Sequence, residues 1–358
     1  VSLRRKLLVC ALAPVLGVLL AEAVLRGLGL RPVPLPEARG SVLIPVDDEV
    51  LLFENRPNGL QVLLYREVPG AAPRRVEMRT NSQRFRGLEV ALEKSVGTLR
   101  VACLGDSHTF GDGVGEGQAW PDHLRERALG EAPIEVLNCG VNAYDTLQEV
   151  LWFERRVAAF EPDVLLLAYF VNDVAARGVG VGGGGIDWLQ KLVHPRRGGW
   201  VAGLRSRSRA VDLLFDGVYR RREKAAYTEN LDRRYADDSP GWLRVQQALV
   251  RLRDACRGRG ISLHVVLFPY VEATAGGFRS DLAFAKVREY CRSIQVGVFD
   301  ASPGMFAVWE GESLRVSPLD YHANAHAHEL FADEVAAYLG ADAGLPFARL
   351  APAVAQDE

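Results

Sequence analysis

The chain has 358 residues, 48% of them hydrophobic and 25% charged, with a formal net charge of −2 at pH 7. That composition supports a sizeable buried core and excludes a chain that is disordered throughout, while the near-zero charge excludes the global basic field of a nucleic-acid binder. The length fits one large domain with appendages better than two equal domains.

The first expected element is an apolar leader over residues 1–30. Arg4-Arg5-Lys6 precede an uncharged run from Leu7 to Ala21, interrupted only by Pro14. The run is shorter than the ~20 residues of an upright spanning helix. It can extend past Glu22 and Arg26, whose i,i+4 spacing lets them pair. As an anchor, it would keep its basic flank in the cytoplasm and the body of the protein outside. Ala21-Glu22-Ala23 also has the small-x-small form of a cleavage site, and removal there would leave a secreted or periplasmic protein. Both alternatives export the domain.

Residues 31–97 form a proline-containing region with short expected strands at Val42–Ile44 and Leu60–Leu64. Residues 98–345 then alternate. Strand-like runs occur at Leu99–Leu104, Ile134–Asn138, Val164–Tyr169, Leu263–Phe268 and Val296–Asp300, with helix-like runs near Trp120–Leu129, Leu147–Phe160, Trp242–Arg257, Asp281–Ser293 and Ala325–Leu339. This alternation predicts an α/β fold, a mostly parallel sheet covered on both faces, with a site at the carboxyl ends of its strands. An insertion over about 175–230 breaks the rhythm. It opens with the glycine-rich Gly178–Gly185 and continues through a basic, aromatic-containing stretch to Lys224. It reads either as a lid or surface element facing an anionic lipid or polymer, or as a solvated amphipathic decoration. Residues 346–358 are a tail.

The most informative stretch is Val101-Ala102-Cys103-Leu104-Gly105-Asp106-Ser107, an apolar strand that delivers a serine into a glycine-rich turn. A serine is a useful nucleophile only where a base reaches it, and a candidate base stands far along the chain in Asp320-Tyr321-His322. With Gly140 in Asn138-Cys139-Gly140 and Phe170-Val171-Asn172-Asp173, the chain presents four short blocks in order. Their order resembles that of the SGNH (GDSL-type) hydrolases, and within them the membrane-anchored bacterial members. Three departures stand out: His108 after the serine, Phe170 in place of a glycine, and one residue fewer between Asp320 and His322.

The resemblance implies a flavodoxin-like three-layer sandwich and a serine esterase or acylhydrolase that needs no cofactor. It implies Ser107 as nucleophile, His322 as base and Asp320 as its orienting partner, with oxyanion donors from the Ser107 and Gly140 N–H groups and the Asn172 side chain. The expected substrate is an ester-bearing lipid, glycan or small molecule. The expected place is a bacterial cell membrane, held by the N-terminal segment with the catalytic domain outside. Two alternatives share these residues: an O-acetyltransferase or deacetylase acting on an exported polysaccharide, and a non-catalytic envelope binding protein on the same fold. Arg79-Thr80-Asn81-Ser82-Gln83-Arg84-Phe85-Arg86-Gly87 also resembles a Thr-Asn-Ser-x-Gly-Phe-Arg-Gly stretch of anchored relatives, with a solvated polar turn as the plainer alternative.

Taken singly, Ser107 would serve as a helix cap, Gly140 as a turn and Asn172-Asp173 as an Asx turn. Asp106 is expected to be a structural hydrogen-bonding residue, and His108 reads as exposed, with lining of the substrate entrance as the alternative. His322, His326 and His328 lack the spacing of a zinc site, and the glycine-rich loop after β-like Val101–Leu104 lacks a P-loop ending, so no metal or nucleotide is expected. Cys10, Cys103, Cys139, Cys256 and Cys291 read as small buried hydrophobes, with a Cys256–Cys291 bridge as the alternative.

Overall fold

The computed structural model describes residues 3–31, 36–66, 72–130, 133–174, 200–214, 231–271, 281–309, 311–317 and 320–349. Five parallel strands make the central sheet: β4 (Leu99–Gly105), β5 (Ile134–Asn138), β6 (Val164–Tyr169), β7 (Ser262–Leu267) and β8 (Gly297–Asp300), in the order β5-β4-β6-β7-β8. Register pairs Val101 with Val136 on one side and Val164 on the other. The order reverses beside β4, which makes its carboxyl end the switch point of a doubly wound sheet. Central β6 reads Val-Leu-Leu-Leu-Ala-Tyr and is buried at every position, as a parallel strand covered on both faces must be.

Helices α3 (Trp120–Glu126) and α4 (Thr146–Arg155) follow β4 and β5, α6 (Pro240–Arg257) and α7 (Asp281–Ser293) flank β7, α8 (Ser302–Val308) follows β8, and α9 (Ala325–Ala341) closes the fold. Helix α3 packs on α9, and α4 on α6. Local chemistry sets the starts. Asp145 and Gln148 form a reciprocal capping box on α4, Pro240 occupies the first turn of α6, and the Asn324 side chain accepts the Ala327 N–H at 2.9 Å on α9. The expected strands and helices all stand within a few residues of their sequence positions. The Leu147–Phe160 run ends earlier, at Arg155, and passes into a 3₁₀ turn over Val157–Phe160.

Residues 37–79 make a second, antiparallel sheet of β1 (Glu37–Pro45), β2 (Phe53–Tyr65) and β3 (Arg74–Arg79). Strand β3, Arg-Arg-Val-Glu-Met-Arg, buries Val76 and Met78 while the alternate positions face outward. These two join Val42, Leu63 and Tyr65 with Phe110, Val114 and Val316 in a separate apolar cluster, so this sheet is packed onto the loop that follows Ser107.

Helix α1 spans Leu3–Gly27, with Leu12, Val15, Leu16, Leu19, Leu20 and Val24 exposed. Among the described residues, no helix is long and apolar enough to cross a membrane. The expected run Leu7–Ala21 includes positions 7–9 and 11, whose side chains lie outside the described residues. Of the insertion, only 200–214 is described, including α5 (Trp200–Arg205). The glycine tract and the basic stretch up to Lys224 otherwise lie outside the described residues. The Glu22 carboxylate of α1 accepts the Ser208 hydroxyl at 2.8 Å and the Ala210 N–H at 2.9 Å. All five cysteines are free thiols. Four are buried as expected, and the exception is Cys10, which is exposed on α1.

Candidate active site

Strand β4 ends at Gly105, where a side chain would collide with Thr109 Oγ1 at 2.1 Å. The tight passage turns the chain into the single-turn helix α2 (Ser107–Phe110). The Asp106 carboxylate caps that turn by accepting the His108 N–H at 2.8 Å, the structural role expected for it. Burial alone would push the Asp106 carboxyl up. The His108 ring and N–H outweigh it, with help from His322, and hold it below the usual carboxylate range. Ser107 thus opens α2 at the switch point, where its own N–H has no acceptor within the helix.

The base arrives on a short hairpin, β9 (Arg315–Ser317) and β10 (Asp320–Ala323). His322 Nε2 lies 3.0 Å from Ser107 Oγ, and His322 Nδ1 lies 2.8 Å from Asp320 Oδ1. The shortened Asp-x-His spacing works because residues two apart on a strand share a face. Asp320 Oδ1 also accepts the His322 N–H at 3.3 Å. With Nδ1–H donated to the carboxylate, the lone pair on Nε2 faces the serine. Asp112 Oδ2 sits 3.8 Å from the same Nε2 and adds negative charge beside the imidazolium that forms there.

A fourth member went unread in the sequence. The Tyr65 hydroxyl, from β2, donates to Asp320 Oδ2 at 2.7 Å, and both residues are buried. The Arg74 guanidinium lies 4.4 Å over the Tyr65 ring and bonds the Val316 carbonyl, tying the second sheet to the base hairpin. Nothing local in residues 31–97 marks Tyr65, because its partner lies 255 positions away.

The three expected oxyanion donors stand at the ends of β4, β5 and β6. Gly140 packs against α2 so closely that a Cβ would fall 2.2 Å from Phe110 N. Its N–H donates to Asn138 Oδ1 at 3.1 Å, so this hydrogen is engaged in the described geometry. Asn138 in turn donates to the Thr109 carbonyl at 2.9 Å, and Asn55 donates to the Gly140 carbonyl at 2.9 Å. Asn172 sits half-buried in a turn closed by Asp173, whose carboxylate accepts the Phe170 N–H at 3.0 Å. The Asn172 side-chain oxygen is buried without a hydrogen-bond partner among the described residues. Burial, with the charges of Glu149 and Asp106, pushes the Asp173 carboxyl well above its ordinary range.

Two other expectations are corrected. His108 is buried, not exposed, because its ring stacks on Phe170 with centroids 4.0 Å apart and contacts Phe268 at 5.0 Å. The Arg79–Gly87 stretch is not a solvated turn. Arg86 is 3% exposed and its guanidinium donates to the carbonyls of Phe110, Gly111, Val114 and Gly115, the loop just beyond the nucleophile.

His322 stands on β10, whereas His326 and His328 stand on α9 and have separate surroundings. His326 is exposed and pairs with Glu312 and Glu329. His328 is buried, where it accepts the Trp120 N–H at 3.3 Å, and burial pushes it well below the ordinary histidine range. Among the described residues, no group of three or more His, Cys, Asp or Glu side chains is arranged to hold a metal ion.

No family model matches the sequence, and no curated protein matches it. Solved structures do match. A member of the lipolytic G-D-S-L family from Veillonella parvula is 14% identical, with a TM-score of 0.40 over 69% of this chain and 100% of that one. A catalytic mutant of an acetylxylan esterase from Geobacillus stearothermophilus is 16% identical, with a TM-score of 0.42 over 72% of this chain and 100% of that one. A two-domain esterase active on acetylated mannans is 14% identical, with a TM-score of 0.41 over 72% of this chain and 53% of that one. With every one of these scores below 0.5, the geometry of Ser107, His322 and Asp320 carries the functional conclusion by itself.

Proposed function

We propose that the chain is a serine hydrolase of the SGNH type that cleaves carboxylic esters. The observation that carries this is the continuous relay from Ser107 Oγ through His322 to Asp320, at 3.0 and 2.8 Å. Ser107 Oγ attacks the ester carbonyl carbon while His322 Nε2 takes the hydroxyl proton. The carbonyl π electrons move to oxygen, where the Ser107 N–H and the Asn172 side chain serve as donors to the oxyanion. Collapse restores the carbonyl and breaks the bond to the alcohol, which leaves with the proton held on His322. A water then adds to the acyl-enzyme, with His322 again the base, and the acid departs as Ser107 regains its proton. Asp320 fixes the tautomer and stabilises the imidazolium, and Tyr65 fixes Asp320.

The test is direct labelling. A fluorophosphonate should label purified wild-type protein at one site and leave Ser107→Ala unlabelled. Equal labelling of the two proteins would refute the mechanism.

We further infer that the domain works outside the cytoplasm, tethered through α1. Arg4-Arg5-Lys6 within its first two turns and the exposed Leu12, Val15, Leu16, Leu19 and Leu20 support this. A reporter joined to the carboxyl end should be active only when exported. Activity confined to the cytosol would overturn the topology, and sequencing the mature amino terminus separates a retained tether from a leader removed before Val24.

A further inference from the structure

The aromatic rings beside the base are absorbed by no step of the mechanism. A line of stacked rings starts at His322. The His108 ring is 5.5 Å from that of His322, Phe170 stacks on His108 at 4.0 Å and 28°, and Tyr270 stacks on Phe170 at 6.0 Å and 17°. Phe268 backs His108 at 5.0 Å. His108 is the residue directly after the nucleophile, and Phe170 stands two residues before Asn172. The rings therefore fill the sector between the base and the turn that carries an oxyanion donor.

The attacked carbon has four substituents in the tetrahedral state, and three directions are already assigned. Ser107 Oγ is one, the oxyanion faces the dipoles at the strand ends, and the alcohol oxygen must face His322 Nε2 to take its proton. The acyl group takes the remaining direction, and the reacting atoms must approach to about 3–3.5 Å. His108, next in the chain to the nearly buried serine and 5.5 Å ring to ring from His322, places its ring and the Phe170 ring stacked on it beside that position. Neither is free to yield: His108 is 7% and Phe170 5% exposed, and His108 is further held by Asp106, whose Oδ1 lies 3.3 Å from its Nδ1. Close-packed rings of this kind do not compress to admit extra methylenes.

We propose that the stacked rings of His108, Phe170 and Tyr270 form the wall of the acyl site and confine the enzyme to esters of acetyl-sized acids. This rests on the esterase reading. It adds that selectivity is set by the two positions, 108 and 170, that depart together from the family pattern and touch each other.

The test compares the purified full chain with Phe170→Ala, Phe170→Tyr and Tyr270→Ala on aryl acetate, butyrate and octanoate. In a hydrophobic pocket, the fit of one or a few methylenes changes kcat/KM by roughly 10–200-fold. Wild type should favour acetate over butyrate by about that much. Phe170→Ala should raise the butyrate-to-acetate ratio by roughly tenfold or more, and Phe170→Tyr should keep the wild-type ratio. Should Phe170→Ala not fold, Tyr270→Ala reads the outer part of the same wall, and its octanoate-to-acetate ratio must rise. An octanoate rate in wild type equal to that for acetate, or an unchanged ratio in a folded Phe170→Ala, overturns the wall. Labelling with a methyl and an octyl fluorophosphonate separates this from failure of the esterase reading. Loss of labelling by both reagents sinks the mechanism and the wall with it, whereas equal labelling by both sinks only the wall.

Discussion

Ser107→Ala and His322→Ala are each expected to lower ester turnover by on the order of 10⁴-fold or more while leaving the melting temperature nearly unchanged. The two side chains act as one unit through the 3.0 Å contact between Oγ and Nε2, so combining them should cost little beyond either alone. Asp320→Ala should cost less, since it removes the orienting carboxylate but neither reacting atom. Tyr65→Phe should cost less again, about tenfold, because it removes one hydrogen bond to a charged group. It should also move the acid limb of the kcat/KM profile to higher pH. Without the Tyr65 hydroxyl the Asp320 carboxylate keeps more of its negative charge, which holds the proton on His322 more tightly. A Ser107→Ala protein that retains wild-type turnover would end the case for this relay, and a Tyr65→Phe profile superimposable on wild type would reduce Tyr65 to packing.

The second large effect concerns folding. Arg86→Ala should destabilise the protein by about 3–5 kcal/mol, because four carbonyls at and just after the end of α2 lose the guanidinium that ties them together at a largely buried place. Arg86→Lys should not restore it, since one ammonium lacks the planar fork that reaches two pairs of carbonyls. Denaturant titration followed by tryptophan fluorescence measures the loss. A midpoint within experimental scatter of wild type for Arg86→Ala would show that the loop holds its shape without the arginine.

Much of the sheet was legible because burial on both faces leaves an unmistakable apolar run, as in Val164–Tyr169, and because each run stops where a turn must begin. The relay was legible as order along the chain: Asp-Ser at the end of the first strand and Asp-x-His before the last helix. What escaped were partnerships that only folding creates. Tyr65 looks like one more strand residue until β2 is laid against the base hairpin. Strand β3 hides its period of two because only Val76 and Met78 are apolar among four charged side chains. His108 reads as polar, hence exposed, unless Phe170 is known to lie flat against it. The Gly140 N–H was expected to face the oxyanion, and its engagement by Asn138, two residues before it, depends on a rotamer that no sequence pattern encodes.

The hydrogen bond from Tyr65 to Asp320 redraws the borders of the catalytic unit. Judged by the parallel sheet, that unit begins near Thr98, and the preceding antiparallel sheet looks like a spacer between α1 and the enzyme. Yet the carboxylate that orients the base is gripped from β2, and the loop after the nucleophile is gripped by Arg86. The smallest inheritable piece with a whole site therefore starts at Glu37, and the antiparallel sheet travels with the chemistry rather than with α1. Shuffling of such proteins at the apparent linker would separate a lock from its bolt, so productive recombination must cut upstream, between α1 and β1.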